Sequence, residues 1–389
     1  MNPFATIKKR KILFITERRA DYSRLKPIMK AVRQSKKLEL QLVVTGMHLL
    51  KGFGETINII KKDGFKIDAV LPTFSEADED TGASMAIAMG RALTGMPEIF
   101  NRLKPDIIFS GFDIGANFAA AIVGMHMNIH VSHIQGGEVS GTVDEVIRHG
   151  ITKFSHIHFP ATARSVKRII KLGENPKYVF NVGSPSLDTI KAVKYLPRQK
   201  IFSKYNLDSS KKLIILIQHP VTTEVNQTIN QIRQSIKATQ AINKKYSTQA
   251  IAIYSNNDAG GKRIVKELDG SGIRVFPHIA YEDFLNLLKN ADVLIGNSSA
   301  GIHEAPSFGL PTVNIGTRQQ LRERGKNIID VNCNHSAIIK AIEKCLVDGQ
   351  FIKKVKSAKN PYDNGDTAKK VVKILETIKL PSIQKVISY

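Results

Sequence analysis

Short strand-like runs rich in β-branched residues alternate with longer helical patterns along this chain, and the alternation occurs twice. In the first half the strand-like runs are 11–16, 39–44, 107–110 and 129–134. In the second half they are 213–217, 249–254, 275–277, 293–296 and 312–315. Repeated strand–helix units favour a parallel sheet covered by helices. We therefore predict an α/β protein with two Rossmann-like halves whose carboxyl-end loops face each other across a ligand-binding cleft.

The length of the chain supports this division. With 389 residues it can form two domains that each have a core. A polar stretch around 196–210 separates the two sets of strand-like runs. We predict a first domain over residues 1–195 and a second over residues 196–370.

Apolar patterning argues against a membrane protein. The longest apolar runs are strand-sized and fall far below the ~20 residues of a membrane span. The N-terminal segment is basic but passes directly into the strand-like run 12–16, without the apolar region of a secretory signal. These features predict a cytoplasmic protein with no membrane partner.

The formal net charge of +23 raises the question of a nucleic-acid partner. The lysines are spread along the chain as short pairs, and no nucleic-acid-binding motif interleaves aromatic residues with them. We predict a solvated basic surface and no nucleic-acid partner. Such a surface helps to attract a small anionic ligand.

The sequence carries no signature of a cofactor or a metal site. No GxGxxG fingerprint follows the first strand, and Cys333 and Cys345 lack the tight Cys/His spacing of metal ligands. We predict no cofactor, no metal, and two thiols that are buried or idle. Histidines near the predicted strand and helix ends are interpreted as structural: His126, His130, His133, His156 and His158.

The densest cluster of chemically active groups lies in residues 132–149. Its glycines allow the backbone to approach a ligand closely. Thr142, followed three residues later by Glu145, predicts a capping box and a helix that begins there. Asp144 and Arg148 then share one face near the helix N-terminus, either as ligand contacts or as an ion pair on the helix surface.

Two further candidates follow predicted strands. Asp113 ends a strand, where a carboxylate is placed for acid–base chemistry or for capping the next helix. His219 follows the first strand of the second half and carries the side chain best suited to proton transfer near neutral pH.

The segment 295–306 has the chemistry of a phosphate cradle. Ser298 and Ser299 stand among small residues at a predicted helix N-terminus, and Glu304, about two turns on, can accept both hydroxyls of a ribose. A plain capped helix is the alternative. Guanidinium groups pair well with phosphate, although each could equally be a surface residue, so we add four arginines: Arg19, Arg24, Arg318 and Arg322.

Nine motifs in this order resemble those of the hydrolysing UDP-N-acetylglucosamine 2-epimerases. That family makes N-acetylmannosamine for sialic acid or acts on UDP-diacetylbacillosamine for legionaminic acid. The motifs are residues 19–26, 45–48, 136–149, 183–188, 219–224, 256–258, 296–299, 316–319 and 364–366. The resemblance covers nearly the whole chain.

The resemblance implies a fold and an assembly. Its two Rossmann-like domains adopt the glycosyltransferase-B arrangement, with the active-site cleft between them. A C-terminal segment, residues 371–389, is expected to form a helix and tail that return to the first domain. Homodimers or homotetramers are expected.

It also implies residue roles. The diphosphate of a UDP-sugar is expected at Ser298, Ser299 and Arg19, with the ribose at Glu304. The full set implied to bind UDP or substrate is Arg19, Arg24, Asn256, Ser298, Ser299, Glu304 and Arg318. The positions implied to be catalytic or to contact the sugar are Asp113, Gln135, Asp144, Arg148 and His219.

The implied reaction has two stages. Loss of the C2 proton and departure of UDP give a 2-acetamidoglucal, and addition of water then yields the 2-epimerised free sugar, such as N-acetylmannosamine. Because the C2 proton is weakly acidic, C1–O cleavage is expected to lead, with a transition state that resembles an oxocarbenium ion.

This sequence departs from the family pattern on the sugar side. Gln135 stands where the family typically has the glutamate of His-Ile-Glu-Gly-Gly, and Ile114 replaces an arginine beside Asp113. Glu17 and Arg18 replace Gly-Thr in the first loop. We expect either a shifted substrate, with Asp113, Asp144 or His219 taking over proton transfer, or a weakened catalyst.

Other functions remain open at this point. A glycosyltransferase of the same fold would yield a glycoside, and a non-hydrolysing epimerase would yield an intact UDP-sugar. A catalytically weakened or silent protein would bind the nucleotide sugar without turnover.

Overall fold

The computed structural model describes residues 8–389, in which twelve strands form two parallel sheets of six. Residues 1–7, which include most of the basic N-terminal segment and the start of the predicted first domain, lie outside the described residues. The strands of the first sheet are β1 (Arg10–Thr16), β2 (Leu38–Thr45), β3 (Ala69–Leu71), β4 (Ile107–Gly111), β5 (His130–Ile134) and β6 (Ile157–Phe159). Those of the second are β7 (Leu213–Ile217), β8 (Gln249–Ile253), β9 (Arg274–Phe276), β10 (Val293–Gly296), β11 (Thr312–Ile315) and β12 (Ile328–Val331).

Both sheets have the same doubly wound topology. Their strand orders are β3-β2-β1-β4-β5-β6 and β12-β11-β10-β7-β8-β9. The order reverses between β1 and β4 in the first sheet and between β7 and β10 in the second, and such switch points are where open α/β sheets bind ligands. The predicted α/β class with two Rossmann-like sheets is confirmed.

Helices cover the faces of both sheets. In the first half they are α1 (Arg19–Gln34), α2 (Ile57–Lys62), α3 (Gly82–Leu103), α4 (Gly115–His126), α5 (Asp144–Phe154), α6 (Ala163–Lys171) and α7 (Pro185–Ala192). The others are α8 (Arg198–Lys204), α9 (Thr228–Tyr246), α10 (Gly261–Asp269), α11 (Tyr281–Asn290), α12 (Ala300–His303), α13 (His335–Val347), α14 (Gly349–Lys356) and α15 (Thr367–Thr377). None of the helices within residues 8–389 combines the length and apolarity that crossing a membrane requires.

The central strands are apolar on both faces because helices cover both sides. Every residue of β7 is buried, and its sequence, Leu-Ile-Ile-Leu-Ile, is the continuous apolar run expected of a buried parallel strand. The helices meet the sheets through apolar residues at helical spacing. In α1 these include Leu25, Ile28, Met29 and Val32, which are all buried. Both thiols are free: Cys345 is buried in the second core and Cys333 is half-buried.

The predicted capping box at Thr142 and Glu145 is wrong. The helix α5 begins at Asp144 after Val143, which makes no side-chain cap. The Glu145 carboxylate instead accepts a hydrogen bond from the backbone N–H of Ser140, at 2.7 Å, and lies 3.1 Å from the Arg148 guanidinium. The charged neighbour Arg148 therefore competes successfully for the carboxylate that would have capped the helix.

The last helix returns to the first sheet. Ala368, Val371 and Leu375 of α15 are buried in the same apolar core as Ile28 of α1. The Asp188 carboxylate, on α7, accepts hydrogen bonds from the backbone N–H groups at the start of α15, at 3.0 and 2.6 Å. The limits 195/196 and 370/371 stay predictions, but the chain beyond the second sheet contributes to the first core.

The segment after α15 also lies on the first half. His130 contacts the carbonyl oxygen of Pro381 at 2.9 Å, and His156 contacts that of Ile383 at 3.0 Å. The Lys385 ammonium donates to the Glu174 carboxylate at 2.7 Å. The two histidines therefore have structural partners.

We predict that Leu375→Ala lowers the free energy of unfolding by about 2–5 kcal/mol, because a large side chain is removed from a packed core. Denaturant unfolding of the full chain measures this. The matched control is Lys373→Ala, an exposed position on the same helix, with an expected change within about 0.5 kcal/mol. Equal effects of the two substitutions would contradict the docking of α15 into the first core.

Candidate active site

Three adjoining cavities lie between the carboxyl ends of the two sheets, and Arg18 and Asp113 line all of them. We call them the arginine cavity (about 230 Å³), the carboxylate cavity (about 50 Å³) and the methionine cavity (about 560 Å³). Their distinguishing side chains are Arg19 and Glu304 in the first, Gln135 and Glu138 in the second, and Met85 and Met89 in the third.

All twelve predicted site residues line the first two cavities. Those of the arginine cavity are Arg19, Arg24, Asp113, His219, Asn256, Ser298, Ser299, Glu304 and Arg318. The carboxylate cavity adds Gln135, Asp144 and Arg148. The structure therefore brings the predicted set together, and the role of each residue stays a prediction.

The topology explains this convergence. Arg18 follows β1 and Asp113 follows β4, at the switch point of the first sheet. His219 follows β7 and Ser298 follows β10, at the switch point of the second. The carboxyl ends of the two sheets thus supply opposite walls of one cleft.

Glu304 presents a free acceptor in the arginine cavity. Its Oε1 accepts a hydrogen bond from the Tyr281 hydroxyl at 3.2 Å and lies 3.5 Å from the Arg24 guanidinium. Its Oε2 is buried and has no hydrogen-bond partner within the described residues. The helix before it, α12, ends at His303, so Glu304 lies one turn from the helix start and the predicted two turns are wrong. A short 3₁₀ helix, Ala305–Phe308, follows Glu304; it has Pro306 in its first turn and ends at Gly309.

Cationic and hydroxyl groups surround that acceptor. Arg24 donates to the Ser299 hydroxyl at 3.0 Å, and the Ser298 hydroxyl accepts from the N–H of Ala300. Burial lowers the pKa of the Arg19 guanidinium to about 10, so Arg19 stays charged at neutral pH. Among residues 8–389 no carboxylate forms an ion pair with Arg19. This wall of the cavity can therefore bind an anion.

His219 is held as a neutral donor. Burial, and then the charges of Arg318, Arg18 and Arg19, lower its pKa well below the usual value. Its Nδ1 accepts the backbone N–H of Asn256 at 3.2 Å, which assigns the proton to Nε2. The predicted proton transfer by His219 depends on the usual pKa of histidine. The surroundings of His219 favour hydrogen-bond donation.

Asp113 is kept ionised by two arginines. Its carboxylate is hydrogen-bonded to Arg148, whose side chain is only 1% exposed, and lies 3.9 Å from Arg322. Burial alone would raise the pKa of Asp113, but the charges of Arg148 and Arg322 outweigh burial and hold that pKa well below its usual range. Arg148 therefore pairs with Asp113 across the site, and the predicted surface pair with Asp144 is not formed.

Asp144 has the opposite tendency. Burial and the negative charge of Asp113 raise its pKa, and Arg318, 3.7 Å away, only partly opposes the shift. The cavity thus places beside each other one carboxylate that keeps its charge and one that gains a proton readily. Neighbouring carboxylates whose pKa values are shifted in opposite directions are characteristic of acid–base sites.

Charged contacts join the two halves across the cleft. Glu138, from the loop after β5, lies 3.4 Å from His303 and 3.3 Å from Arg322 of the second half. Arg18 lies 2.8 Å from the Asp258 carboxylate. These contacts link the sheets at the cavities.

The methionine cavity is lined by both apolar and polar side chains. Met85 and Met89 of α3 and Ile147 of α5 line it together with Thr222, Thr223 and Val225 of the second half. The Thr222 hydroxyl is buried without a hydrogen-bond partner in the part of the chain that the structure describes. This cavity can take a ligand group that is apolar and carries an acceptor for that hydroxyl.

Three residues of the cleft, Arg18, Glu138 and Arg322, make contacts that the sequence does not predict. Arg18 was noted only as a departure from the family pattern, Glu138 only as part of a motif, and Arg322 only as a phosphate contact. The structure places Arg322 on Glu138 and Asp113 instead. No local signal reveals these partnerships because they join distant parts of the chain. Within residues 8–389 no group of His, Cys, Asp or Glu is arranged to hold a metal ion.

Two Rossmann-like sheets around a cleft with an anion-binding wall define an enzyme of glycosyltransferase-B architecture. A family model described as UDP-N-acetylglucosamine 2-epimerase matches residues 30–376. The chain belongs to the UDP-N-acetylglucosamine 2-epimerase family of enzymes.

Named relatives agree with this assignment. The UDP-N,N'-diacetylbacillosamine 2-epimerase (hydrolyzing) of Legionella pneumophila is 40% identical over 377 residues, which cover 96% of this chain and 97% of that protein. The UDP-N-acetylglucosamine 2-epimerase of Neisseria meningitidis serogroup B is 35% identical, covering 96% of each. The predicted family resemblance is confirmed.

Solved structures share the fold. The UDP-GlcNAc 2-epimerase of Methanocaldococcus jannaschii in complex with UDP-GlcNAc and UDP is similar with a TM-score of 0.78 and 20% identity, covering 94% of this chain and 99% of that chain. The UDP-GlcNAc 2-epimerase of Neisseria meningitidis bound to UDP-GlcNAc has a TM-score of 0.77 and 17% identity, with the same coverage. The predicted glycosyltransferase-B arrangement is confirmed.

We predict that Arg148→Met raises the pKa of Asp113 and lowers the free energy of unfolding at neutral pH by about 1–3 kcal/mol, because a half-buried carboxylate loses its closest cation. In the native protein the pKa of Asp113 is lowered on folding. Its stabilising effect is therefore present above the unfolded pKa of about 4 and is lost as the pH falls. Carboxyl-carbon NMR titration and denaturant unfolding measure the two changes.

The control for that experiment is Arg164→Met. The Arg164 side chain is 71% exposed and lies 4.0 Å from Glu323, so its removal should change stability by at most about 1 kcal/mol. An unmoved titration of Asp113 in the Arg148 variant would show that Arg148 does not set its charge.

Proposed function

We propose that this enzyme is a hydrolysing 2-epimerase of a UDP-2-acetamido sugar, which releases UDP and the 2-epimerised free sugar through a 2-acetamidoglucal. The observation that carries the proposal is the adjacency of two features in one cleft. An anion-binding wall with a free carboxylate oxygen adjoins a pair of carboxylates whose pKa values are shifted in opposite directions.

The arginine cavity is proposed to hold UDP. A ribose diol needs acceptors, and the unpaired Oε2 of Glu304 supplies one beside the occupied Oε1. The diphosphate would bind Ser298, Ser299 and Arg19, since hydroxyl and guanidinium donors match phosphate oxygens. Neutral His219 would add an Nε2–H donor to the departing diphosphate.

The carboxylate cavity is proposed to hold the sugar. Asp113, kept ionised by Arg148 and Arg322, would stabilise the positive charge that develops as the C1–O bond breaks. Asp144, whose proton affinity is raised, would take the C2 proton as UDP leaves. Because the product is the 2-epimer, the proton added to C2 together with water at C1 must reach the opposite face of the ring from another donor. Removal of the C2 proton therefore does not require a carboxylate at position 135.

The substrate is proposed to be UDP-N,N'-diacetylbacillosamine rather than UDP-N-acetylglucosamine. Diacetylbacillosamine carries a second acetamido group and a C6 methyl group where N-acetylglucosamine has hydroxyls. The methionine cavity adjoins Asp113 and Asp144 and offers those groups apolar walls and the unpaired Thr222 hydroxyl. The relative that is 40% identical carries that sugar in its name.

Proton NMR in deuterium oxide tests the proposal, with UDP-N,N'-diacetylbacillosamine and UDP-N-acetylglucosamine supplied separately. We expect UDP release and a free 2-epimerised sugar with deuterium at C2, faster from the diacetamido substrate. Asp144→Asn is the inactive control. An intact epimerised UDP-sugar would indicate a non-hydrolysing epimerase, and a glycoside formed on an added acceptor would indicate a transferase. If neither substrate gives released UDP or an epimerised product, the proposed reaction is overturned.

The pH dependence of turnover tests the role of Asp144. As a base it must be ionised, and its raised pKa means that activity is lost as the pH falls through a value above that of an ordinary aspartate, about 4. Arg318→Met removes the cation that opposes this shift and should move the acidic limb of kcat to higher pH. Arg233→Met, which removes an exposed guanidinium paired with Glu267, should leave it in place. An unchanged limb in the active Arg318 variant would exclude Asp144 as the titrating base.

A further inference from the structure

The Gln135 side chain lines the carboxylate cavity and contacts the carboxylate of Glu138, which lines the same cavity. Its Nε2 donates to Oε1 of Glu138 at 2.9 Å, and its Oε1 is buried with no hydrogen-bond partner among residues 8–389. Gln135 is 3% exposed and lines the cavity together with Asp113 and Asp144. The Oε1 atom of Gln135 is thus a hydrogen-bond acceptor without a donor among the described residues.

The charge of Glu138 decides which way the amide points. A carboxylate only accepts hydrogen bonds, so the NH₂ group of Gln135 must face Glu138 and the carbonyl oxygen must face away. Burial would raise the pKa of Glu138, but His303 and Arg322 outweigh burial and hold that pKa well below its usual range. Because burial lowers the pKa of His303 itself, Arg322 supplies the positive charge at neutral pH.

The backbone conformation of Gln135 also supports this placement of its side chain. Gln135 has φ of 57°, in the left-handed region that non-glycine residues seldom occupy. Its N–H donates to the carbonyl oxygen of Phe159 at 3.0 Å, which holds the conformation. Strain of this kind persists where the surroundings require a particular side-chain position.

A glutamate at this position would behave differently. Its carboxyl group would lie within hydrogen-bond distance of Glu138, and two buried carboxylates in contact cannot both ionise. One proton would be shared, so glutamate would donate to Glu138 only while protonated. Glutamine makes the same donation at every pH.

We propose that Gln135 acts as a permanent stand-in for a protonated carboxylic acid, and that its carbonyl oxygen, aimed by Glu138, accepts a hydrogen bond from an N–H or O–H group of the sugar. Gln135 is then a specificity-determining residue that takes no part in proton transfer. The inference rests on the proposed sugar-nucleotide function and assigns a ligand donor to one atom of that site.

Charged and titratable groups surround the Gln135–Glu138 pair. The charged and titratable groups that face it are Asp113, Asp144, Arg148, His303, Arg322 and Tyr362. In the experiment below Asp144 is replaced by asparagine in the parent and in every variant alike, and the other groups are unchanged, so comparison at every pH with this parent isolates the contribution of the pair.

The experiment measures affinity for UDP-N,N'-diacetylbacillosamine and for UDP by calorimetry across a pH series, in an Asp144→Asn background that stops turnover. With Gln135→Met, affinity for the sugar nucleotide should fall by about 10- to 100-fold, because a ligand donor loses its acceptor. With Gln135→Glu, affinity should match the parent at acidic pH and fall as the pH rises, by up to about tenfold per unit once the shared proton is lost.

The double substitution Gln135→Glu with Glu138→Gln is the rescue control. It exchanges the amide and the carboxylate between positions 135 and 138. The amide at position 138 then donates to the carboxylate at position 135, which keeps one oxygen free for the sugar. Affinity for the sugar nucleotide should recover and lose its dependence on pH. Affinity for UDP should be unchanged in every variant, which also verifies folding.

Parent-like affinity in the Gln135→Met variant would overturn the inference. So would affinity that rises with pH in the Gln135→Glu variant, or turnover above that of the native enzyme when Gln135→Glu is made with Asp144 intact, because either result identifies position 135 as the site of a lost base. Absence of turnover in the native enzyme would contradict the proposed function alone, since the affinity comparison requires no reaction.

Discussion

Arg322 is the positive charge on which the centre of the cleft depends. It follows β11 of the second sheet, yet its guanidinium lies 3.3 Å from Glu138 and 3.9 Å from Asp113 of the first half. A buried carboxylate without such a partner would take up a proton. The charge of Glu138 therefore depends on a residue of the second half, whereas Asp113 is paired both with Arg322 and with Arg148 of its own half.

From that contact the two aspartates acquire different properties. Asp113 has two guanidinium neighbours, Arg148 and Arg322, whereas Asp144 has one, Arg318, and the negative charge of Asp113 beside it. Identical side chains thus differ in proton affinity because of what surrounds them. A site of this kind can stabilise a cation with one carboxylate and move a proton with the other.

The sequence predicted the long-range architecture better than the local detail. Strands such as β7 were recognisable because burial on both faces demands a continuous apolar run. The strands β3, β6 and β12, each at an edge of its sheet, were not predicted. The failed capping box has a different cause: the Glu145 carboxylate accepts the backbone N–H of Ser140 and pairs with Arg148 of the same helix, so it does not cap the helix start.

At the site, residue types were predictable and pairings were not. Motifs placed Asp113 and Arg148 in the cleft, but their mutual contact joins β4 to α5 and needed the fold. The departure at Gln135 was visible in the sequence, whereas its meaning depends on Glu138, three residues away, and on Arg322 from the other sheet. The chemical role of a residue at this site therefore depends on which residues surround it in the folded protein.

The return of α15 to the first core changes how the molecule can be divided. The chain leaves the first half near α7, builds the whole second sheet, and comes back, so the second half is inserted within the first rather than appended to it. Shortening the protein from its C-terminus would strip Leu375 and Val371 from the first core long before it reached β12. To isolate either half, an engineer would need to excise the middle of the chain and rejoin the two crossing segments.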